Sequence, residues 1–260
     1  MEYFILVFFG VLTGMTASLF GFGGGFVIVP LIYHMVGNNP HAMQIAVATS
    51  TSIMIINSIN AIYRHNRAGN ILWSWVTPIA YFIGIGSIFG AALASHLGDK
   101  VVKYTFVAYI SYVIYDCLTK KEFIQQKASS KTLSTQQKIW NGLGIGIIAS
   151  ALGVGGSVLT VPLMRKLGLS MKHAVALANP LSLPVAIIAT IIYIILGEKT
   201  NINPDHMYLG FIYLPGVIIL SICGFIGVPI GTHLAGKISD QLHAKIYIGL
   251  LFIAILSILV

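Results

Sequence analysis

Charge is scarce in this chain, and negative charge scarcest. Only 7 of the 260 residues are Asp or Glu, charged residues of both signs make up 8%, and 57% are hydrophobic. So few polar side chains cannot solvate a globule of this length, which excludes an ordinary soluble fold and makes the chain a polytopic membrane protein. Glu2 is terminal, Asp116 is close to a membrane end, and the other carboxylates fall in loops. This argues against a sodium or calcium site built on buried acids and against a carboxylate proton relay.

Cysteine is equally sparse. Cys117 and Cys223 fall in apolar stretches and read as packing residues, so there is no disulfide framework and the redox compartment stays open. The sequence has no HExxH, GxSxG, P-loop or paired-Cys motif, and lacks the serine–histidine or aspartate pair of intramembrane proteolysis. Accordingly no catalytic residue, no metal ligand and no cofactor is assigned, and enzyme activity is not expected. The net charge of +8 would suggest nucleic acid in a soluble chain. Here the cations sit in short loops between apolar runs, without interleaved aromatics, and set membrane orientation instead; the partner is the lipid bilayer of the cell membrane, not nucleic acid. Glu2 stands where a leader would be basic, and the first apolar run leads straight into a glycine motif, so no cleaved targeting segment is expected.

What is present is a duplication. Gly21-Phe22-Gly23-Gly24-Gly25, with Pro30-Leu31 five residues on, recurs 132 positions later as Gly153-Val154-Gly155-Gly156-Ser157 with Pro162-Leu163. His41 or His173 follows, then Ala46-Val47-Ala48 or Ala174-Val175-Ala176. Gly86, Gly90 and Asp99 match Gly227, Gly231 and Asp240 at a constant offset of 141. Apolar segments at Tyr3–Val36, Gln44–Tyr63, Trp73–Ser95 and Val101–Leu118 are answered by Ile139–Met164, Ala174–Leu196, Tyr208–Ala235 and Ala244–Val260. The chain therefore divides into a first transmembrane repeat (1–118), a polar cytoplasmic linker (119–138) and a second repeat (139–260). The expected class is all-α, with two four-segment repeats.

Length and charge bear on the topology. At about 1.5 Å per residue, Tyr3–Val36 would measure roughly 50 Å as one helix, against a hydrocarbon core of roughly 30 Å. If the first and fifth segments each cross once, the 15 cations divide 8 to 7. If each bends back at its glycines, one face holds Arg64, Arg67, the five linker lysines, Arg165, Lys166, Lys172, Lys237 and Lys245, a division of 12 to 3. The second arrangement predicts re-entrant first and fifth segments, a cytoplasmic linker, and inverted halves of the kind that suits alternating access.

Glycines this close together cannot hold a regular helix, so each motif predicts a break that leaves bare N–H groups and a positive dipole end inside the membrane. Such ends attract anions. The candidate substrate-binding residues are Gly21, Gly23, Gly24, Gly25, Gly153, Gly155, Gly156 and Ser157, with Thr49 and Ser50 of the following segment and Asn179 at the corresponding place in the second half. Thr, Ser and Asn bind oxyanions without fixed charge, although the same groups also bond back to helical carbonyls; Asn57 and Asn60 are weaker candidates of the same type, with joining helices as the alternative. Pro30 and Pro162 are expected to end or kink the second arms. Gly84, Gly86, Gly90, Gly224, Gly227 and Gly231 read as a packing seam, compatible with a homodimer. No deeply buried lysine or arginine is evident. The eight histidines (34, 41, 65, 96, 173, 206, 233 and 243) fall mostly at predicted interfaces and read as solvated, with one near the hairpins able to carry a proton.

The paired GxGG motifs followed by proline and leucine, the stretch Ala46 to Ser50 and the glycine helix before Asp99 together resemble the TauE/SafE family of membrane permeases over nearly the whole chain. The resemblance implies export of a small sulfur-containing anion, sulfite or an organosulfonate, held between the halves near the motif loops. Ser157 in place of a third glycine, and Leu177-Ala178-Asn179-Pro180 opposite Thr49-Ser50-Thr51-Ser52, are departures that bear on the ligand more than on the fold. An anion channel or a non-transporting membrane scaffold would use the same features.

Overall fold

The computed structural model describes residues 2–37, 39–124, 133–198 and 208–259. Lys127, Lys131, Lys199 and His206 lie outside the described residues. The order is α1 (Glu2–Phe20), α2 (Gly25–Val36), α3 (Ala42–Arg67), α4 (Trp73–His96), α5 (Asp99–Thr119), α6 (Lys121–Ile124), α7 (Thr135–Leu152), α8 (Ser157–Lys166), α9 (Met171–Gly197), β1 (Tyr208–Leu209), β2 (Ile212–Tyr213), α10 (Leu214–Ala235) and α11 (Asp240–Leu259). The fold is all-α and polytopic as expected. Among the described residues, α3, α4, α5, α9, α10 and α11 are long and apolar enough to cross a membrane. Large apolar side chains such as Tyr81, Phe89, Ile222 and Ile253 point outward, the arrangement lipid favours and water does not.

α3 and α9 pack on one another at the centre. Every residue from 42 to 54 on α3 and from 174 to 182 on α9 is buried. Helices buried on all sides need small, apolar or internally bonded residues, and the Ala-Val-Ala stretches with their neighbouring hydroxyls supply these. Around this pair, α1 packs on α10 and α7 on α4. The glycine seams make both contacts: a Cβ on Gly86 or Gly90 would overlap the Leu143 or Ile147 carbonyl of α7, and one on Gly227 or Gly231 would overlap the Val11 or Met15 carbonyl of α1. These glycines let helix backbones touch. They are engaged inside the protomer and do not form a free seam for a second copy.

Three local expectations are corrected. Tyr208 does not begin a span: residues 208–213 form a two-stranded hairpin and α10 starts at Leu214, with Pro215 in its first turn, where no intrahelical donor is needed. The linker is not loop throughout, since α6 lies within it with Phe123 buried, and Ser134 and Gln137 form a capping box that starts α7 at Thr135. Pro30 and Pro162 do not end their helices, which continue to Val36 and Lys166. Each proline is the sixth residue of its short helix and takes one donor from the intrahelical ladder without ending it.

Candidate functional site

Residues 21–24 separate α1 from α2, and 153–156 separate α7 from α8. Gly24 precedes α2 with φ +94°, and Gly153 ends α7 with φ +66°. Both need left-handed backbone that glycine alone enters cheaply. No side chain caps the first N–H groups of α2 or α8; the Gly25 N–H turns back to the Phe22 carbonyl at 3.2 Å, and those of Val27 and Leu159 to the Gly24 and Gly156 carbonyls at 3.1 and 3.2 Å, so the positive dipole end of each second arm faces the protein interior with no acidic side chain in its first turn. The C-terminal ends of the first arms are treated differently. His65 Nε2 meets the Ser18 carbonyl at 3.0 Å, and the Tyr193 hydroxyl donates to the Ser150 carbonyl at 3.1 Å. Ser18 and Ser150 are separated by 132 residues, the interval between the motifs.

The two turns meet. Ser50 on α3 donates to the Gly153 carbonyl at 2.7 Å, and a Cβ on Gly25 would lie 2.8 Å from that hydroxyl and overlap the same carbonyl. Met54 lies between the turns: its Sδ would be 2.6 Å from a Cβ on Gly23 and 2.7 Å from one on Gly155, itself 3.3 Å from the Phe22 carbonyl. Each turn also rests on the long helix of the other half, Gly21 against Val175 and Ala178 of α9 and Gly153 against Val47 of α3. The glycines of both motifs thus converge on one place.

The hydroxyl and amide candidates are partly committed to structure. Thr49 Oγ1 accepts the Tyr213 N–H at 3.0 Å, and Ser50 is engaged as above. Asn179 Nδ2 donates to the Val175 carbonyl one turn back at 3.1 Å, leaving its Oδ1 buried without a hydrogen-bond partner among the described residues. Asn57 reaches toward the Gly23 carbonyl at 3.5 Å, and Asn60 bonds the Phe225 carbonyl of α10 at 3.2 Å, joining helices.

The second turn is the polar one. The hydroxyls of Ser157, Thr160 and Ser182 are buried there without hydrogen-bond partners among the described residues. Ser182 Oγ would lie 3.4 Å from a Cβ on Gly155 and 3.7 Å from one on Gly156. The matching positions earlier in the chain are Gly25, Ile28 and Met54, which bring no hydroxyl. Leaving a buried hydroxyl unpaired costs on the order of 1–3 kcal/mol, so several at one helix end call for an explanation. Sequence reading missed Ser182, although the register that aligns Ala46 with Ala174 puts it opposite Met54.

Each second arm also borders a groove, one of about 330 Å³ between α1, α2 and α11 and one of about 250 Å³ between α5, α7 and α8. Pro30 and His34 line the first, Pro162 and Lys166 the second, at the motif interval. The glycine turns line neither groove.

The family model described as "Sulfite exporter TauE/SafE" matches residues 6–258. The chain belongs to the TauE/SafE family. It is 27% identical over 233 residues to a probable membrane transporter protein of Haemophilus influenzae, covering 88% of this chain and 87% of that one. It is 26% identical over 250 residues to one of Methanocaldococcus jannaschii (94% and 90%), and 28% identical over 242 residues to one of Bacillus subtilis (90% and 91%). A TauE/SafE protein with these spans is a multi-pass membrane transporter, and transport is the activity its site must explain.

In this TauE/SafE chain one arginine is buried, contrary to the reading that none is. Arg165, 2% exposed, lies 2.9 Å from Asp240 and donates to the carbonyls of Phe123 (3.0 and 2.6 Å) and Leu169 (3.1 Å). Its charge is compensated in place, which is what makes its burial tolerable. Next to it Lys166 pairs with Asp116 at 2.8 Å, and Asp116 also bonds Lys120. At the exposed end of α5, that carboxylate raises the Lys120 ammonium above its ordinary value. His65 and His243 are likewise buried rather than solvated. Among the described residues no cluster of three or more His, Cys, Asp or Glu is placed to hold a metal.

Proposed function

We propose that this protein exports a small sulfur-containing anion, sulfite or an organosulfonate, by alternating access, with the anion bound where the two broken-helix turns meet. The observation that carries this reading is the uncapped start of α8 with the unpaired hydroxyls of Ser157 and Ser182 beside it. Backbone N–H groups, a positive dipole end and hydroxyl donors suit an oxyanion, and the absence of fixed charge lets it leave again. The first turn supplies a second dipole end, where the Ser50 hydroxyl is already committed to the Gly153 carbonyl, so the anion is held more by the second turn. The family's name points to sulfite and its relatives.

The re-entrant path draws support from the Lys166–Asp116 pair. An α7–α8 unit crossing the bilayer once would end on the face opposite the end of α5, and the pair could not form. With the hairpins turned back, the inverted halves alternate by rocking the α3–α9 interface, and a potential negative inside drives the anion out.

The test is thermal stability in detergent with sulfite, sulfate, thiosulfate, taurine, sulfoacetate and chloride. A sulfur oxyanion is expected to raise the melting temperature of the parent through linkage, and Ser157→Ala with Ser182→Ala to abolish the rise without lowering the unliganded value. A response to chloride equal to that of every oxyanion would overturn the substrate class, and a rise retained by both variants would overturn the site.

A further inference from the structure

Among the described residues three basic side chains are buried: His65, Arg165 and His243. Arg165 is accounted for by its ion pair and carbonyls. The histidines come from different helices, α3 and α11, yet meet adjacent carbonyls of the same helix end, His65 on Ser18 and His243 on Leu19. These are last-turn carbonyls of α1, just before the first glycine turn. A carbonyl only accepts, so each Nε2 carries the hydrogen and each Nδ1 is the position open to a proton. His65 Nδ1 is buried with no hydrogen-bond partner among the described residues.

The second half shows what capping alone requires. There Tyr193, at the position matching His65, holds the Ser150 carbonyl with a hydroxyl that stays neutral near pH 7. The first half uses two imidazoles for that task, and imidazole is the side chain whose charge changes near neutral pH. We infer that His65 and His243 form one proton-binding site on the end of α1, and that its proton governs release of the first hairpin, coupling protons to transport.

Burial opposes charge on both imidazoles, whereas the dipole at the C-terminus of α1 favours an imidazolium and charge strengthens its bond to the carbonyl. The groups acting on the pair are Lys172 from α9, Arg165 from α8 and Asp240 from α11; α1 contributes its carbonyls and the Phe20 ring stacked edge-on against His243. Beside two fixed cations and one carboxylate, a second imidazolium is opposed, so the site takes one proton at a time, on one imidazole or the other. Bound, that proton tightens the grip on Ser18 and Leu19 and holds the hairpin; released, it frees the turn to move. The proton site stands on its own geometry, whereas the coupling depends on the transport reading above.

The experiment has two arms, using His65→Gln, His243→Gln and the double variant, in which the glutamine amide keeps a donor for the carbonyl. In detergent, NMR of 15N-histidine-labelled protein follows protonation. Removing either imidazole is expected to raise the proton affinity of the other roughly 3-fold or more, as for coupled sites. Unchanged affinity, or no titration of either between about pH 5 and pH 8, overturns the site. In proteoliposomes, efflux of thiosulfate from the wild type is expected to fall roughly 3-fold or more on lowering pH from 8 to 6 on the linker face, and the double variant to respond flatly. A double variant with the wild-type pH profile overturns the coupling; single variants, with a weakened profile, serve if the double does not fold. Should the wild type move none of thiosulfate, sulfite, sulfate, taurine or sulfoacetate, the transport reading and the coupling fall together, and the titration alone decides the site.

Discussion

Asp99 Oδ1 accepts the backbone N–H of Met43 at 2.6 Å, tying the first turn of α5 to the first turn of α3. Asp240 repeats the contact on Met171, also at 2.6 Å, tying α11 to α9. In a chain with 7 carboxylates, two are thus given to one task, the compensation of helix N-termini at the membrane face.

The two caps are unequal, because Asp240 also faces Arg165. Asp99→Ala is expected to cost about 1–2 kcal/mol, the loss of a cap. Asp240→Ala is expected to cost about 3 kcal/mol or more, since it strips a buried guanidinium of its counter-ion. Thermal denaturation in detergent gives the order; equal losses would mean that Arg165 gains nothing from Asp240.

Glycines in this protein differ in sign of effect. Gly24→Ala puts a Cβ on backbone at φ +94° and 2.9 Å from Asn57 Nδ2, and is expected to destabilise by about 1–3 kcal/mol. Gly144 lies in the interior of α7 with nothing within 4 Å of an added Cβ, so Gly144→Ala should stabilise by about 0.5–1 kcal/mol. Melting temperatures of the two variants, measured side by side, check both signs.

Ser50 and Ser87 separate a bond between distant segments from one within a helix. Ser50→Ala leaves the Gly153 carbonyl without its donor and is expected to cost about 1–3 kcal/mol. Ser87 bonds the Ile83 carbonyl of its own helix at 2.7 Å, so Ser87→Ala should cost distinctly less. The comparison again uses denaturation in detergent.

Side-specific labelling checks the re-entrant path. Cys117 and Cys223 are buried, so background modification is low. In sealed vesicles, Lys166→Cys and Lys120→Cys are expected to react with an impermeant maleimide from one face and Lys100→Cys from the other. Reaction of Lys166→Cys and Lys120→Cys from opposite faces would rule the path out.

By itself the sequence determined the membrane class, the recurring glycine motifs, the places where helices break and the identity of the packing glycines. These follow from local quantities: hydropathy over a span, the conformational range of clustered glycine, and residue intervals that survive in a single chain. Tertiary structure alone decided what each polar group does. Ser50 could equally have bonded its own helix, and only the crossing of α3 past the second turn commits it to Gly153, 103 residues away. His65 and His243 read as interfacial because a helix end in sequence looks like a membrane surface, whereas the packing of α3 and α11 around the end of α1 buries both. Ser182 was indistinguishable from any helical serine until its hydroxyl proved unpaired beside the start of α8. Hydrogen-bond partners and burial are set by which faces meet, and that depends on contacts too distant along the chain for local pattern to record.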